Sequence, residues 1–349
     1  MIGVAADLLY ARGAELAGRM AETMHAKPHI ALFNGMHHPQ LAALAETPGE
    51  LVVQQSRRDS FLDLQRAGHM VRREIRQGPF DLVLVLAGRQ REQTMGWVAA
   101  GARLLADSGM LVLCAANDMG AKGYEKRLAG LGAPLQVSSK AKCRVSLIRA
   151  AEIAQPDMLD EWAADAAPRQ LPDGMISCPG VFSWAHPDPG SSLLLEHLPS
   201  GLAGCGMDLG CGNGYLSRHV LAHHPGIRAW HAVDVDAVAV DCAAQNLQGV
   251  NAACSVQTHW MDATRERLPG PMDVVLLNPP FHRDRADLVS LGQAMITAAQ
   301  RSLQPAGSLF LVANRHLPYE LELYQGFAQV RALFEGQGYK VLHCTGVQT

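Results

Sequence analysis

No two of the eight cysteines in this 349-residue chain are spaced C-x-x-C. That leaves neither a zinc-ligand spacing nor a disulfide framework, and reduced thiols are the reading that fits. Runs of eighteen or more apolar residues are also missing, so no transmembrane helix is expected. The opening residues, MIGVAADLLYARGAELAGRM, lack a basic segment followed by an apolar one, so no signal peptide is expected and a cytoplasmic protein is. Nor does the whole chain carry much charge of one sign. Its formal net charge is −3, which taken alone argues against a polyanionic partner. The distribution argues the other way. Residues 1–150 hold 19 Lys and Arg against 13 Asp and Glu, and the remainder hold 11 against 20, so the halves stand at +6 and −9. Such asymmetry fits a chain of which one half meets a polyanion, although solvated Arg-rich helix faces would give the same numbers.

What is present is a chain rich in hydrophobic residues (48%), with 33 glycines, long enough for two domains. Short apolar runs alternate with longer helical patterns. In the first half the runs are Ile30–Phe33, Leu51–Gln54, Leu82–Leu86 and Met110–Cys114. In the second they are Met207–Leu209, Ala229–Val235, Ser255–His259, Val274–Leu277, Ser308–Val312 and Lys340–His343. Alternating β and α units predict an α/β fold with doubly wound, mostly parallel sheets. The Gly336-Gln337-Gly338 turn before the last run predicts a closing antiparallel strand. A stretch rich in Pro, Ala and acidic residues between Gln155 and Pro172 reads as a linker with room for a short helix. The expected organisation is a domain over 1–155, a linker over 156–174 and a second domain over 175–349. The halves also echo each other. Phe80–Leu86, a helical stretch and Asp107-Ser108-Gly109 parallel Met272–Leu277, a helical stretch and Pro305-Ala306-Gly307, as an internal duplication would.

Three motifs in the second half carry chemistry. The first is Met207-Asp208-Leu209-Gly210-Cys211-Gly212-Asn213-Gly214. A strand runs into glycines, as it must where a ligand approaches the main chain and a Cβ would block it. Dinucleotide folds use G-x-G-x-x-G for a diphosphate. The tighter G-x-G-x-G here, with Asp208 before it, suits a cationic amino-acid group instead, although a plain strand-to-helix turn would also use glycines. The second motif ends the next apolar run at Asp234, 20 residues after Gly214, where an acid accepts from ribose hydroxyls. Asp236 is either a second such acid or a helix cap, and Asp262, after the third run, either takes an adenine amino group or caps a turn. The third and most specific motif is Asn278-Pro279-Pro280-Phe281-His282, directly after the fourth run. The prolines stiffen the loop and remove two N–H donors, leaving the Asn278 and Pro279 carbonyls and the Asn278 side-chain oxygen as acceptors for an –NH₂ group. Phe281 can stack on a flat base, and His282 is either a substrate contact or a solvated loop residue.

These three motifs, in order after successive strands, resemble class I S-adenosylmethionine-dependent methyltransferases that act on planar amino groups. More narrowly, the chain resembles the bacterial ribosomal RNA guanine-N2 methyltransferases. Pro179-Gly180-Val181-Phe182-Ser183, Gly190-Ser191-Ser192-Leu193-Leu194-Leu195 and Ala313-Asn314-Arg315-His316-Leu317-Pro318-Tyr319 add to the likeness. It is strong over 175–345 and weaker over the first half, at Asn117–Gly123 and Lys142–Val145. One departure is Trp184–Pro189, where relatives have a shorter polar stretch with an Asp before the Gly. Asp188 is the residue that would keep that place.

The resemblance implies two tandem Rossmann-like methyltransferase domains, the first degenerate. It implies S-adenosylmethionine held by Asp208, Gly210, Gly212, Asn213, Gly214, Asp234, Asp262 and Asn278. Chemistry would fall to Asn278, Pro279, Pro280 and Phe281, with no metal. In keeping with a degenerate first domain, Phe33-Asn34-Gly35-Met36-His37 stands where a glycine turn should be, and Leu86-Ala87-Gly88-Arg89-Gln90 where Asn-Pro-Pro-Phe should be. That half carries Lys122, Lys126, Arg127, Lys140, Lys142, Arg144 and Arg149, expected to grip RNA phosphates, with His282 as a further RNA contact. The expected activity is methylation of a guanine N2 in ribosomal RNA, in the small subunit before the large, by a monomer. The rival activities are a DNA adenine or protein glutamine methyltransferase, a dinucleotide-dependent oxidoreductase, and a catalytically silent RNA-binding or ribosome assembly factor.

Overall fold

The structure, a computed structural model, describes residues 2–47, 49–132, 134–280 and 285–348, with the side chains of 285–288 excepted. Two compact units divide it, one of residues 1–168 with 178–180, the other of 169–177 with 181–349.

The first unit runs α1 (Ile2–Met24), β1 (His29–Phe33), α2 (Pro39–Glu46), β2 (Glu50–Gln54), α3 (Arg58–Arg66), β3 (Met70–Arg72), β4 (Phe80–Leu86), α4 (Arg91–Arg103), β5 (Leu105–Ala116), α5 (Ala121–Ala129), β6 (Gln136–Lys140), β7 (Cys143–Arg149) and α6 (Asp157–Ala166). The second runs β8 (Arg169–Gln170), β9 (Ile176–Ser177), α7 (Pro189–Glu196), β10 (Ala203–Leu209), α8 (Tyr215–His223), β11 (Gly226–Asp234), α9 (Ala237–Leu247), β12 (Ser255–Trp260), β13 (Met272–Leu277), α10 (Arg285–Ser302), β14 (Leu303–Asn314), α11 (Glu320–Gly326), β15 (Phe327–Gly336) and β16 (Tyr339–Val347).

Among the described residues each unit holds a seven-stranded sheet, and the two have one topology: β3-β2-β1-β4-β5-β7-β6 and β12-β11-β10-β13-β14-β16-β15. The central strands β4 and β13 are buried almost throughout, because helices cover both faces of a parallel sheet; that is why they read as unbroken apolar runs rather than alternating ones. The last pair in each sheet is antiparallel, as the turn at Gly336-Gln337-Gly338 led one to expect for β16. Identical order in both sheets is what a duplication leaves behind.

Helix α6 lies in the stretch read as linker. Its Leu159 and Trp162 are buried in the core of the first unit, and Gly96 of α4 gives it room, since a Cβ there would lie 2.4 Å from that of Ala166. The chain therefore stays in the first unit up to Pro168. In each sheet the connection reverses direction between the first strand and the fourth. That switch point, at the carboxyl ends of the strands, is where an open α/β sheet forms its ligand crevice.

Candidate active site

At the switch point of the second sheet β10 pairs with β13, with Leu209 opposite Leu277. The glycine turn after β10 and Asn278 after β13 thus emerge side by side. Between them lies an open cleft lined by Gly210, Gly212, Asn213 and Asn278, by Phe182, Asp188 and Ser191, and by Tyr215 at the start of α8.

All three glycines of the turn have positive φ: +83° at Gly210, +54° at Gly212 and +84° at Gly214. Their neighbours differ. A Cβ on Gly214 would sit 3.2 Å from Ala243, so this glycine lets α9 come close, whereas a Cβ on Gly212 would meet no protein atom within 4 Å. The main chain at Gly212 is bare on its cleft side. Its N–H donates to Asp234 Oδ2 at 2.8 Å, so the acid at the tip of β11 braces the turn. The other Asp234 oxygen accepts from Asp236 N at 2.8 Å. Asp236 itself caps α9 by accepting from Val238 N.

Asp208 is fully buried. Its Oδ2 accepts from Ser217 Oγ (2.7 Å) and Ser217 N (3.1 Å), while Oδ1 has no partner among the described residues. Burial, with a further push from the Asp234 charge, raises its carboxyl to about 7 despite the Ser217 bonds. Neither Asp208 nor Asp234 lines the cleft, but both lie directly behind the glycine turn, and with the bare Gly212 main chain they make the acidic, Cβ-free wall that a cationic amino-acid ligand suits. The residues therefore fit S-adenosylmethionine.

Asp262 is 5% exposed and does not line the cleft. Its Oδ1 accepts from Thr264 N and Oγ1 at 2.9 and 2.7 Å, and Oδ2 pairs with Arg265 at 3.2 Å, so it caps its own turn. Asn278 donates from Nδ2 to Asp188 Oδ2 and to Ser191 Oγ, both at 2.8 Å. Both amide hydrogens are used, and among the described residues the side-chain oxygen is the polar atom left for a ligand. Pro279 is buried and Pro280 half-buried; Phe281 and His282 lie outside the described residues.

Several residues of this site went unnoticed in the sequence. Asn246 of α9 donates to Asn213 O and Ile176 O, both at 2.8 Å, and accepts from Ile176 N at 2.7 Å, tying the glycine turn to β9. One buried amide on an otherwise apolar helix face was its signal. Ser217, which also accepts from Trp230 Nε1 at 2.9 Å, had none.

The corresponding place in the first unit is built differently. Gln54 replaces the acid at the tip of the second strand, and its Oε1 accepts from Asn34 N at 3.1 Å. A Cβ on Gly35 would lie 2.3 Å from Val53, so this glycine serves packing and not an open cleft. Tyr10 of α1, fully buried, exchanges hydrogen bonds with Met36 N and O at 2.9 and 3.2 Å. The carboxylates are gone and protein side chains take up the turn's polar groups.

The cations of that unit are not equivalent. The register Ala116↔Cys143 sets the β6–β7 turn at the carboxyl end of β5, and exposed Lys140 and Lys142 flank it. Lys122 and Lys126 on α5 are exposed as well, and Arg127 is half-buried. Arg144 is half-buried and ion-paired with Glu125, which leaves it less available to a phosphate.

Comparisons with known proteins bear on the same residues. The Methyltransferase small domain family matches residues 174–343. Ribosomal RNA small subunit methyltransferase C of Pseudomonas paraeruginosa is 31% identical over 274 residues, covering 76% of this chain and 79% of that protein. Its counterpart in Shewanella amazonensis is 27% identical, with 87% of each chain covered. Among solved structures, the 16S rRNA N2 guanine methyltransferase of T. thermophilus, in complex with AdoMet and guanosine, superposes with a TM-score of 0.76 at 26% identity, covering 91% of this chain and 88% of that one.

Proposed function

This chain belongs to the ribosomal RNA small subunit methyltransferase C family, and from that premise we propose that it methylates the exocyclic N2 of a guanine in 16S ribosomal RNA. The observation that carries the reading is the Asn278 amide, whose hydrogens are both engaged by Asp188 and Ser191 at the edge of the cofactor cleft.

Bound S-adenosylmethionine supplies an electrophilic methyl group. Asp208, Gly210, Gly212, Asn213, Gly214 and Asp234 would hold it, with Asp262 beyond them as the candidate for the adenine. Asn278 does the work on the other reactant. The lone pair of a guanine amino nitrogen is delocalised into the ring and is a poor nucleophile. Accepting the amino hydrogens at Asn278 Oδ1 and the Pro279 carbonyl holds the nitrogen and favours a pyramidal geometry with an available lone pair. Positioning of this kind supplies much of the rate, and Pro279 and Pro280 keep the acceptors in place. Phe281 would stack on the base and His282 would border it. No general base is required, because a methylated amino group loses its proton readily to water. The base must leave its stack, at a cost of a few kcal/mol that looped RNA reduces.

Labelled S-adenosylmethionine offered to unmodified small subunits, large subunits and naked 16S rRNA tests this directly. The expected product is N2-methylguanosine in small-subunit RNA. Label confined to large-subunit RNA or to ribosomal protein would overturn the reading.

The first unit would bind RNA phosphates through Lys122, Lys126, Arg127, Lys140 and Lys142, with Arg144 contributing less because of Glu125. Lys140→Ala with Lys142→Ala is expected to weaken binding of 16S rRNA and to lower the slope of log affinity against log salt by about one to two. Filter binding across a salt series measures both. An unchanged slope would show that the turn does not touch the backbone.

A further inference from the structure

We propose that Asp188 is a positioning residue for methyl transfer: it locks the Asn278 amide with its oxygen, and not its nitrogen, toward the substrate. This rests on the reading of the cleft as an amino-group methyltransferase site.

Asp188 is the N-cap of α7, between Pro187 and Pro189. A residue before proline is driven to extended backbone, and Asp188 has φ −71° and ψ 130°. It is 6% exposed, and Oδ2 accepts from Ser191 N at 2.8 Å, which fixes the carboxylate. The same Oδ2 accepts from Asn278 Nδ2 at 2.8 Å. Ser191, 7% exposed, accepts the other Nδ2 hydrogen at Oγ, also at 2.8 Å.

A carboxylate offers only acceptors, so the amide nitrogen must face it. Turning the amide over would set the Asn278 oxygen against the Asp188 carboxylate and take from that carboxylate one of its two donors. The lock therefore dictates what the Asn278 side chain displays, an acceptor that takes an amino group and repels a carbonyl in the same position. The charge adds to this. A hydrogen bond to an ionised acceptor is stronger than one to a neutral acceptor and polarises the amide, which makes its oxygen a better acceptor in turn. Capping α7 accounts for the bond to Ser191 and for nothing more. The bond to Asn278 comes from 90 residues further along the chain.

Asp188→Asn separates the two duties, because Asn caps a helix as well as Asp does. Asp188→Asn and Asp188→Ala, each alone and combined with Asn278→Ala, would be compared in single-turnover methyl transfer and in calorimetric binding of S-adenosylhomocysteine. The expected kcat is about tenfold lower for Asp188→Asn and about a hundredfold lower for Asp188→Ala, with S-adenosylhomocysteine affinity within about threefold of wild type. On the Asn278→Ala background, Asp188→Ala should cost no further rate, because the residue it acts through is gone. A wild-type rate for Asp188→Asn, losses that multiply on Asn278→Ala, or affinity falling in step with rate would each overturn the proposal. A wild-type protein that methylates no amino group would instead sink the reading of the cleft, and the proposal with it.

Discussion

Replacing Asn278 with Ala is expected to slow methyl transfer about a hundredfold or more while S-adenosylhomocysteine affinity stays within about threefold. Among the described residues the side chain has one polar atom free, its oxygen, because its amide hydrogens are bound to Asp188 and Ser191. That atom acts on the amino group only as its nitrogen becomes pyramidal, so its loss falls on the transition state more than on ground-state binding. Groups of this kind, fixed in advance and facing a site where charge develops, cost about 10²–10³ in kcat when removed. The fold should survive, since Asp188 Oδ2 keeps its bond to Ser191 N. Single-turnover rates against calorimetric affinities check the split. If affinity falls as far as rate, Asn278 is a cofactor anchor and the acceptor role is wrong.

Asp208→Asn is expected to do two opposite things at pH 8: raise the thermal stability of the ligand-free protein and weaken S-adenosylhomocysteine binding by about tenfold. The folded-state carboxyl titrates at about 7, far above its unfolded value, so the folded protein holds a proton that the unfolded chain gives up. Stability from this group is complete below the unfolded pKa and declines as pH rises toward 7, by about 1.4 kcal/mol per unit traversed. Above 7 the full penalty of a buried charge remains. Asn has the shape of the protonated acid and carries no such penalty. The melting temperature of the variant should therefore exceed that of wild type by a margin that widens from pH 5 to pH 8. Binding runs the other way, because the ammonium of the ligand needs the carboxylate ionised. Wild-type affinity should rise with pH up to about 7 and then level off, and Asp208→Asn should show no such rise. Melting curves and titration calorimetry over that range decide it. An equal margin at every pH would mean that the group does not titrate near neutrality.

The second unit was easier to read than the first. Its glycine turn, Asp234 and Asn278-Pro279-Pro280 follow directly on apolar strands, so spacing along the chain is spacing in the site. Strands that are buried on both faces were legible as apolar runs. The missed strands went unread for different reasons: β7, Cys143–Arg149, is mostly buried, but Arg144 and Ser146 break its apolar run. Strand β6, Gln136–Lys140, is exposed along its whole length at a sheet edge, and β15, Phe327–Gly336, at the edge of the other sheet, is exposed at half its positions. Without a buried face nothing selects apolar residues at a regular period. Strand β3 has only three residues, too few to show any period. The short helix allowed for in the stretch read as a linker is α6, but its packing into the first unit was not legible, because Leu159 and Trp162 sit among the Ala and acidic residues that suggested a tether.

By itself the sequence determined the two α/β halves, the order of the motifs and the class of chemistry, because glycine turns and proline-stiffened loops are local and their demands fall on adjacent residues. Only the tertiary structure decided which way the Asn278 amide faces, why Asp208 is short of a partner, and how the first unit's turn is closed by Tyr10 and Gln54. Each of those depends on groups far apart in the chain, Asp188 with Asn278, Ser217 with Trp230 and Asp208, Tyr10 with Met36. Hydrogen-bond partners of that kind are chosen by strand register and helix packing, and a reading along the chain has no access to either.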